Sequence, residues 1–352
     1  MSIFKSHIDQ MSAYKPPLDG RDPDQHLLLD FNERTLPIGE AICQALIDYI
    51  NEGRLQLYPA YGDIVEKIAS YAKVPSEQVM ITNGSDQGIE LVFRAACREG
   101  DEAIIPGPSF AMYGQCARVE NVGILEPQYT RKGGYPVAEV LAAITDSTRV
   151  VVVSNPNNPC GTLVARDDIC VIAKAAPHAV VLVDECYFEY ASVTVADLVR
   201  QYPNIVITRT FSKTWGLPSL RLGYIIADAD NIRALLNVRG PYDINQLAIV
   251  AIRAGLENLS GVETYVDEVM LDAKPLLERY LDRKGVSYWP SGGNYLWCFF
   301  EASEAIAKSL ELAGILVRPK EDGEGNLGLR ITVGTRAHAE RLIAELDLLL
   351  PA

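Results

Sequence analysis

The middle of the chain reads 148-TRVVVVSNPNNPCGTLVARDDICVIAKAAPHAVVLVDECYFEY-190, and this segment decides the fold. Two continuous apolar runs, at 148–154 and 179–184, flank an amphipathic stretch at 166–176. Apolar runs without polar alternation are expected for strands that helices cover on both faces. A strand, a helix and a second strand in this order predict a parallel α/β sheet.

The same alternation continues on both sides of this segment, where a further helical pattern lies at 85–99. The other apolar runs are 79-VMIT-82, 102-EAIIP-106, 204-NIVITRT-210 and 223-GYIIA-227. We therefore expect an α/β fold whose large domain is a mostly parallel, mixed sheet covered by helices.

The pattern changes after Pro241, where a long helical stretch begins and extends to about residue 284. It is followed by 294-NYLWCFF-300, a helical pattern near 303–313, 315-ILV-317 and 327-LGLRITV-333. These segments predict a smaller α+β domain. The expected division is 1–40 as an N-terminal arm and part of the small domain, 41–245 as the large cofactor-binding domain, and 246–352 as the small domain, with the boundary inside the helices of 240–285.

Composition excludes several classes of function. Among 352 residues, 46 are acidic and 32 basic, a net charge of −14 that disfavours binding to nucleic acid or to an anionic membrane. The sequence has neither an apolar run of about twenty residues nor the pattern of a signal peptide at its start. Seven scattered cysteines without a Cys-x-x-Cys pair predict reduced thiols in a cytoplasmic protein, with no metal site.

Two polar motifs follow predicted strands at the sheet edge where ligands bind in open α/β folds. In 83-NGSDQG-88, the backbone N–H groups of a helix start are suited to a phosphate, although a plain helix cap explains the motif equally well. In 154-SNPNNPCG-161, the amide of Asn158 is a donor for a ligand oxygen, whereas a rigid turn is the alternative.

A third motif, 181-VLVDECYFEY-190, ends a buried strand on Asp184. A buried carboxylate is costly unless a cation pairs with it, and a protonated pyridine nitrogen is such a partner. Tyr187, three residues later, is placed to reach a phenolic oxygen of the same ring. An acidic metal site is the competing interpretation, but no histidine lies near.

The most informative segment is 207-ITRTFSKTWGLPSLRLGY-224. Lys213 follows the hydroxyl residues Thr210 and Ser212, and Arg221 comes eight residues later. Neighbouring cations lower the pKa of a lysine, while hydroxyls and a guanidinium bind phosphate oxygens, so the group suits a Schiff base beside a phosphate.

Together, the ordered motifs NGSD, NPNNPCG, DECY, TFSK with a following arginine, and LRITVGT resemble the fold-type I pyridoxal-phosphate aminotransferases. Within them the chain is most similar to the histidinol-phosphate aminotransferase subfamily of histidine biosynthesis. The resemblance extends from about residue 14 to the end of the chain. It implies pyridoxal phosphate as the cofactor and a homodimer with composite active sites.

The resemblance also implies the roles of individual residues. Lys213 carries the cofactor as a Schiff base and then acts as the general base and acid of proton transfer. Asp184 pairs with the ring nitrogen. Asn158 and Tyr187 hold the phenolic oxygen of the ring.

Other residues surround the cofactor in the family to which the sequence is similar. Phe110, in 108-PSFAMY-113, matches an aromatic residue that stacks on the ring, and Tyr58 matches a tyrosine that reaches the phosphate from the partner subunit. The residues that the resemblance places around the phosphate are Gly84, Ser85, Asp86, Thr210, Ser212 and Arg221.

Two arginines define the expected substrate end. Arg330 lies inside an apolar strand, where an unpaired guanidinium is costly and a bound carboxylate or phosphate resolves the cost. Arg318 precedes it by twelve residues and is expected to approach the same site from an adjacent strand. The resemblance adds Tyr14, Asn32 and Asn158 to the substrate-binding residues, and glutamate as the amino donor.

Several positions depart from the subfamily. The segment 30-DFNERTLPIG-39 lacks the usual Asn-Pro, Cys160 stands where threonine is usual, Cys186 where alanine is usual, and Trp215 replaces another residue. An aromatic amino-acid aminotransferase and a phosphothreonine-type decarboxylase therefore remain alternatives. A non-catalytic binding protein is disfavoured because it has no need of the lysine, the aspartate and the arginine together.

Overall fold

The structure, a computed structural model, describes residues 3–351. Its strands are β1 (Leu27–Leu28), β2 (Val79–Thr82), β3 (Glu102–Ile104), β4 (Gly123–Leu125), β5 (Thr148–Ser154), β6 (Val180–Asp184), β7 (Ile205–Thr210), β8 (Gly223–Ala227), β9 (Ser287–Trp289), β10 (Tyr295–Phe299), β11 (Ile315–Leu316), β12 (Arg318–Glu321) and β13 (Leu327–Thr332). The apolar runs of the sequence therefore became strands, and the short β1, β4, β9 and β12 were not predicted.

The helices follow the amphipathic patterns. They are α1 (Ser6–Gln10), α2 (Glu40–Asn51), α3 (Ile64–Ala72), α4 (Gly84–Ala96), α5 (Ala111–Val119), α6 (Val137–Ala143), α7 (Arg166–Ala175), α8 (Phe188–Ala191), α9 (Ala229–Leu236), α10 (Gln246–Leu256), α11 (Ser260–Asp267), α12 (Lys274–Arg283), α13 (Ser303–Leu312) and α14 (Arg336–Leu349). A π-helical stretch at Glu268–Ala273 joins α11 to α12, so the long helical pattern predicted there is nearly continuous.

Seven strands form the large sheet in the order β2-β8-β7-β6-β5-β3-β4. Strand β8 runs antiparallel to both β2 and β7, while the other neighbours are parallel. Every residue of β6 except its first is buried, as are all residues of β7 and β8. This confirms the expectation of a mostly parallel, mixed sheet covered on both faces.

Two apolar cores lie against the two faces of this sheet. One includes residues of α3, α7 and α10, and the other is formed largely by α4, α5 and α9. Helix α10 begins at a side-chain cap, in which Asn245 accepts a hydrogen bond from the backbone of Ala248. Because α10 packs into the core of the large sheet, a division after residue 245 would separate the helix from its packing partners.

A second, antiparallel sheet has the order β12-β13-β10-β9 and carries its own core with α12, α13 and α14. The N-terminal strand β1 pairs in parallel with β11, and Leu29 is buried in the same core. The N-terminal segment that follows β1 is thereby held at residues 30–35 between the two sheets. Within residues 3–351, no helix is both long and apolar enough to cross a membrane.

Candidate active site

Asp184 is the last residue of β6 and lies buried at the carboxyl edge of the large sheet. Its Oδ1 accepts a hydrogen bond of 3.0 Å from the hydroxyl of Thr208, on the neighbouring strand, and its Oδ2 accepts one from the hydroxyl of Tyr113. Burial raises the pKa of Asp184, while these donors and the nearby Cys186 thiol oppose the rise. The carboxyl group is thus fixed in place with no cation paired to it among the described residues.

Sequence reasoning missed Tyr113, which is fully buried on α5 and also donates to Ser154 at 3.2 Å. Its ring contacts Phe110 edge-on, with centroids 5.8 Å apart. The residue was inside the quoted 108-PSFAMY-113 motif, but nothing in the motif says that its hydroxyl reaches an acid 71 positions away. The packing of α5 against the sheet makes that contact.

Lys213 lies in a tight turn after β7, closed by the backbone bond from Gly216 N–H to Lys213 carbonyl at 3.2 Å. The Nζ of Lys213 donates to the backbone carbonyl of Phe31 at 2.9 Å and lies 5.9 Å from the ring centre of Tyr187. The lysine is half-buried. It therefore points inward, toward the N-terminal segment and the residues that follow β6, and not into solvent.

The residues predicted to hold a phosphate lie together, where the start of α4 meets the turn after β7. Thr210 donates to the hydroxyl of Ser212 at 3.0 Å, and Arg221 Nη1 lies 3.5 Å from that same hydroxyl. Arg221 also forms an ion pair of 2.8 Å with Asp86. Ser85 accepts a hydrogen bond of 3.2 Å from the thiol of Cys186.

Two glycines allow this close approach of backbone and guanidinium. Gly84 has a φ of +73°, and a Cβ there would collide with the guanidinium of Arg221. A Cβ at Gly223 would lie 2.7 Å from the backbone nitrogen of Ser85. Arg221 itself has a φ of 54°, a left-handed conformation that is uncommon for a residue with a side chain. We call Gly84, Ser85, Thr210, Ser212 and Arg221 the phosphate cup.

Asn32 and Tyr187 connect the N-terminal segment to the site. Asn32 is fully buried with a φ of 55°, and its Nδ2 donates to the hydroxyl of Tyr187 at 3.0 Å. Its backbone N–H donates to Thr332 at the end of β13. Asn32 therefore links a residue of the large-sheet edge to the small sheet.

Arg330, on β13, is buried and reaches toward the large domain. Its Nη1 donates to Asn158 Oδ1 at 2.6 Å, and its Nη2 donates to the backbone carbonyl of Asp30. The Nε is buried without a hydrogen-bond partner among the described residues. The guanidinium thus has only neutral acceptors, and burial lowers the pKa of Arg330.

Arg318 lies directly opposite Arg330 in the antiparallel pair of β12 and β13, so it approaches from an adjacent strand as expected, although that strand begins one residue after the predicted run 315–317. Its guanidinium lies 5.6 Å from the ring centre of Phe31. Arg21 approaches the same ring at 4.5 Å, but Arg21 is paired with Asp30 and Glu33. Among residues 3–351, Arg318 pairs with no acid, so both it and Arg330 are available to bind an anion.

Two predicted residues are not brought to the site in a single chain. Tyr14 is 42% exposed and, among the described residues, forms no hydrogen bond. Tyr58 is 77% exposed, and its ring packs against that of Tyr242 with centroids 4.5 Å apart. Their assignments remain predictions, and that of Tyr58 requires a second chain.

The two cysteines that depart from the subfamily pattern are held in structural contacts. Cys160 is fully buried and accepts a hydrogen bond of 2.9 Å from Asn157 Nδ2. Burial, together with the charge of Asp184, raises the pKa of the Cys186 thiol well above its usual value. Both thiols are therefore poor nucleophiles.

The described residues fit pyridoxal phosphate, the cofactor that the resemblance implies. A buried acid without a cation, Asp184, suits the ring nitrogen, and in the phosphate cup the guanidinium of Arg221 lies against Gly84, where a Cβ would displace it. Lys213 lies between these two features along the sheet edge, one strand from Asp184. A cofactor with a basic ring nitrogen and a phosphate is consistent with all three.

Comparisons with known proteins agree with this geometry. A sequence model of the family described as aminotransferase class I and II matches residues 25–346. The histidinol-phosphate aminotransferase 2 of Hydrogenovibrio crunogenus is 32% identical over 98% of this chain and 95% of its own length. The histidinol-phosphate aminotransferase of Yersinia pseudotuberculosis serotype IB is 36% identical over 80% of this chain and 76% of its own length.

Solved structures show the same fold. The histidinol-phosphate aminotransferase of Sinorhizobium meliloti, crystallised in complex with pyridoxal-5'-phosphate, superposes with a TM-score of 0.88. The match covers 99% of this chain and 98% of the other at 19% identity. The family model spans both sheets and the site between them, and the chain therefore belongs to the aminotransferase class I and II family.

Proposed function

We propose that the protein is a pyridoxal-phosphate-dependent aminotransferase that moves an amino group between glutamate and histidinol phosphate. The observation that carries the substrate is the pair Arg318 and Arg330, two inward-facing cations with no carboxylate partner among the described residues. Relatives named histidinol-phosphate aminotransferase, at 32% and 36% identity, support the same substrate. Because one cofactor serves two substrates in turn, the kinetics are ping-pong.

Pyridoxal phosphate supplies an electron sink that stabilises negative charge at the substrate carbon bearing the amino group. Asp184 would accept a hydrogen bond from the protonated ring nitrogen and keep the nitrogen positive, with Tyr113 and Thr208 holding the carboxylate in position. Asn158 and Tyr187 would donate to the phenolic oxygen of the ring. Phe110 packs on the ring, and the phosphate cup binds the phosphate.

Lys213 is the group that moves protons. Its amine, held at 2.9 Å from the carbonyl of Phe31, is the base that takes the proton from the substrate carbon and the acid that returns it. The half-buried position of Lys213 limits the access of bulk water to the amine. Its turn is closed by backbone hydrogen bonds, so the lysine is kept near the edge of the sheet.

The substrate end accepts an anion with bidentate hydrogen bonds. Glutamate has a carboxylate beside its amino-bearing carbon, and histidinol phosphate has a phosphate group at the corresponding end. Either anion can form bidentate hydrogen bonds with two facing guanidiniums. Asn32 helps to close the site from the N-terminal segment through its bond to Tyr187. The resemblance adds Tyr14 to the residues that bind the substrate phosphate.

The test is a half-reaction screen on the purified holoenzyme, in which the cofactor absorbance is followed after each amine is added alone. Histidinol phosphate and glutamate should each convert the cofactor, and phenylalanine and threonine phosphate should do so far more slowly. A faster reaction with phenylalanine would assign an aromatic aminotransferase. Carbon dioxide release from threonine phosphate without a keto product would assign a decarboxylase.

The functional unit is proposed to be a cytoplasmic homodimer, in which Tyr58 of one subunit reaches the phosphate cup of the other. The exposed position of Tyr58 and the free cysteines, which suit a reducing compartment, support these two proposals. Co-expression of Lys213→Ala and Tyr58→Ala chains tests the shared site. Mixed dimers should be more active than either parent, whereas activity equal to the parents would contradict a composite site.

A further inference from the structure

A third cation, Lys320, lies beside the two arginines of the substrate end. It is on β12, two residues after Arg318, so the two side chains leave the same face of the strand. In the register of the antiparallel pair, Arg318 is opposite Arg330 and Lys320 is opposite Gly328. All three cations therefore project from one face of the small sheet.

The floor of this face is aromatic. Trp297 is opposite Arg330 on β10, which places its indole on the same face. A Cβ at Gly328 would lie 2.6 Å from Trp297 Nε1 and 3.0 Å from the ring of Phe299. Because Gly328 carries no side chain, the rings of Trp297 and Phe299 pack directly against the strand opposite Lys320. Trp297 Nε1 is buried with no hydrogen-bond partner in the described chain.

Nothing negative neutralises Lys320 in residues 3–351. Arg318 and Arg330 are the charged groups that act on it from β12 and β13, and both are positive. Helix α13 also packs against β12, and its charged residues, Glu304, Lys308 and Glu311, form no ion pair with it. Burial and the two arginines lower the pKa of Lys320 to about 8, so a bound anion would favour its charged form.

We propose that Lys320 binds the phosphate of the substrate together with Arg318 and Arg330, and that it makes the site selective for phosphorylated amines. The inference rests on the proposed function, since it concerns the same substrate end. A phosphate monoester carries nearly two negative charges near neutral pH and three acceptor oxygens, more than one carboxylate offers to three cations. Lys320 is thus a specificity-determining residue and not a proton carrier.

The alternative is that Lys320 only lays its methylene stem along the aromatic floor, with its amine turned to water. Four variants of the full chain separate the two. Lys320→Met keeps the stem and removes the charge, Lys320→Gln keeps a polar end, and Lys320→Arg keeps the charge. Lys308→Gln, an exposed lysine on α13, is the matched control.

The first measurement is kcat/KM for histidinol phosphate and for phenylalanine. Lys320→Met and Lys320→Gln should lose about ten- to a hundred-fold with histidinol phosphate, the size of one charge-assisted contact. Their values for phenylalanine should change far less, and Lys320→Arg and Lys308→Gln should resemble the wild type. Equal losses with both substrates, or an unchanged ratio in Lys320→Met, would overturn the proposal.

The second measurement stays valid even if histidinol phosphate is not the substrate. Sulfate, a permanent dianion, is used as an inhibitor of the holoenzyme with glutamate as substrate. Inhibition of the wild type should weaken as pH rises through about 8, because Lys320 loses its proton there, and Lys320→Arg should abolish this step. The same step in Lys320→Met or Lys320→Arg would overturn the role of Lys320 without bearing on transamination.

Discussion

The two ends of the active site differ in how their charges are balanced. At the cofactor end, on the large sheet, partners from the chain itself hold the charged groups, although Asp184 has hydrogen-bond donors and no cation among residues 3–351. Asp184 accepts hydrogen bonds from Tyr113 and Thr208, and Arg221 pairs with Asp86 at 2.8 Å. This end is built before any ligand arrives.

At the substrate end, on the small sheet, the balance is missing. Arg330 has only an amide oxygen and a backbone carbonyl as partners, Arg318 faces the ring of Phe31, and Lys320 faces two other cations. Buried charge without a counterion costs stability in the free protein. Binding of an anion removes this cost. The unpaired cations therefore add to the free energy of substrate binding.

The largest effect is expected at the residue between the two ends. Lys213→Ala should lower kcat by at least about a thousand-fold, because it removes the amine that moves the proton at the substrate carbon. Lys213 is half-buried and makes one hydrogen bond, to Phe31, so the fold should survive. Steady-state kinetics with circular dichroism checks both points. Turnover near the wild-type rate would mean that another group moves the proton.

Arg330→Met removes a cation from the substrate end and leaves the residues of the cofactor end unchanged. The KM for glutamate should rise by about a hundred-fold, because the guanidinium that receives a carboxylate is lost. The melting temperature should stay level or rise, since the variant replaces an unpaired buried charge by an apolar side chain. Together, KM and the melting temperature test whether the unpaired cations of this end lower the stability of the free protein and strengthen substrate binding.

Arg239→Met is the matched control, because the side chain of Arg239 is only 8% exposed and pairs with Asp243 at 2.7 Å. It should lower the melting temperature by leaving Asp243 unpaired, and it should leave KM unchanged. A large drop in melting temperature for Arg330→Met, equal to that of the control, would argue against an unbalanced substrate end.

Asp184→Asn tests the cofactor end through pH. Because burial raises the pKa of Asp184, ionising it costs the cofactor-free protein stability as pH rises through that pKa, and the cost is absent well below it. Without cofactor, the variant should therefore melt a few degrees above the wild type in mildly alkaline buffer, with a smaller difference in acid.

Added pyridoxal phosphate should reverse the order, since the ring nitrogen pairs with a carboxylate and not with an amide. Melting curves across pH, with and without the cofactor, give the result. An order that does not depend on the cofactor would show that Asp184 has no role toward the ring nitrogen.

The cofactor end was predictable from sequence because its residues follow consecutive parallel strands. The carboxyl ends of such strands meet at one edge, so Asp184 after β6 and Lys213 after β7 had to be neighbours. Arg221 lies before β8, which is antiparallel to β7, and this returns it to the same edge. Residue type and chain order were sufficient for these positions.

Other contacts depend on packing that no local pattern encodes. The bond from Lys213 to the carbonyl of Phe31 joins residues 182 positions apart. Tyr113 reaches Asp184 only because of the position at which α5 packs against the sheet. The role of Lys320 could have been inferred from its spacing to Arg318 if a strand had been assigned to 318–321. The sequence of that strand, RPKE, contains a proline and three charged residues, so it does not have the apolar pattern of a strand.

The smallest effect is expected from Gly84→Ala, which changes the phosphate cup by one methyl group. Gly84 has a φ of +73°, and its Cβ would displace the guanidinium of Arg221, so the cofactor should dissociate about ten-fold faster. Gly285→Ala is the control, because Gly285 has a φ of +68° and open space around the added methyl. Both variants carry similar backbone strain and should lose similar stability without cofactor, whereas only Gly84→Ala should release pyridoxal phosphate faster on dilution. If Gly285→Ala released pyridoxal phosphate equally fast, a general loss of stability would explain the faster release. The result would then give no support to a specific role of the phosphate cup.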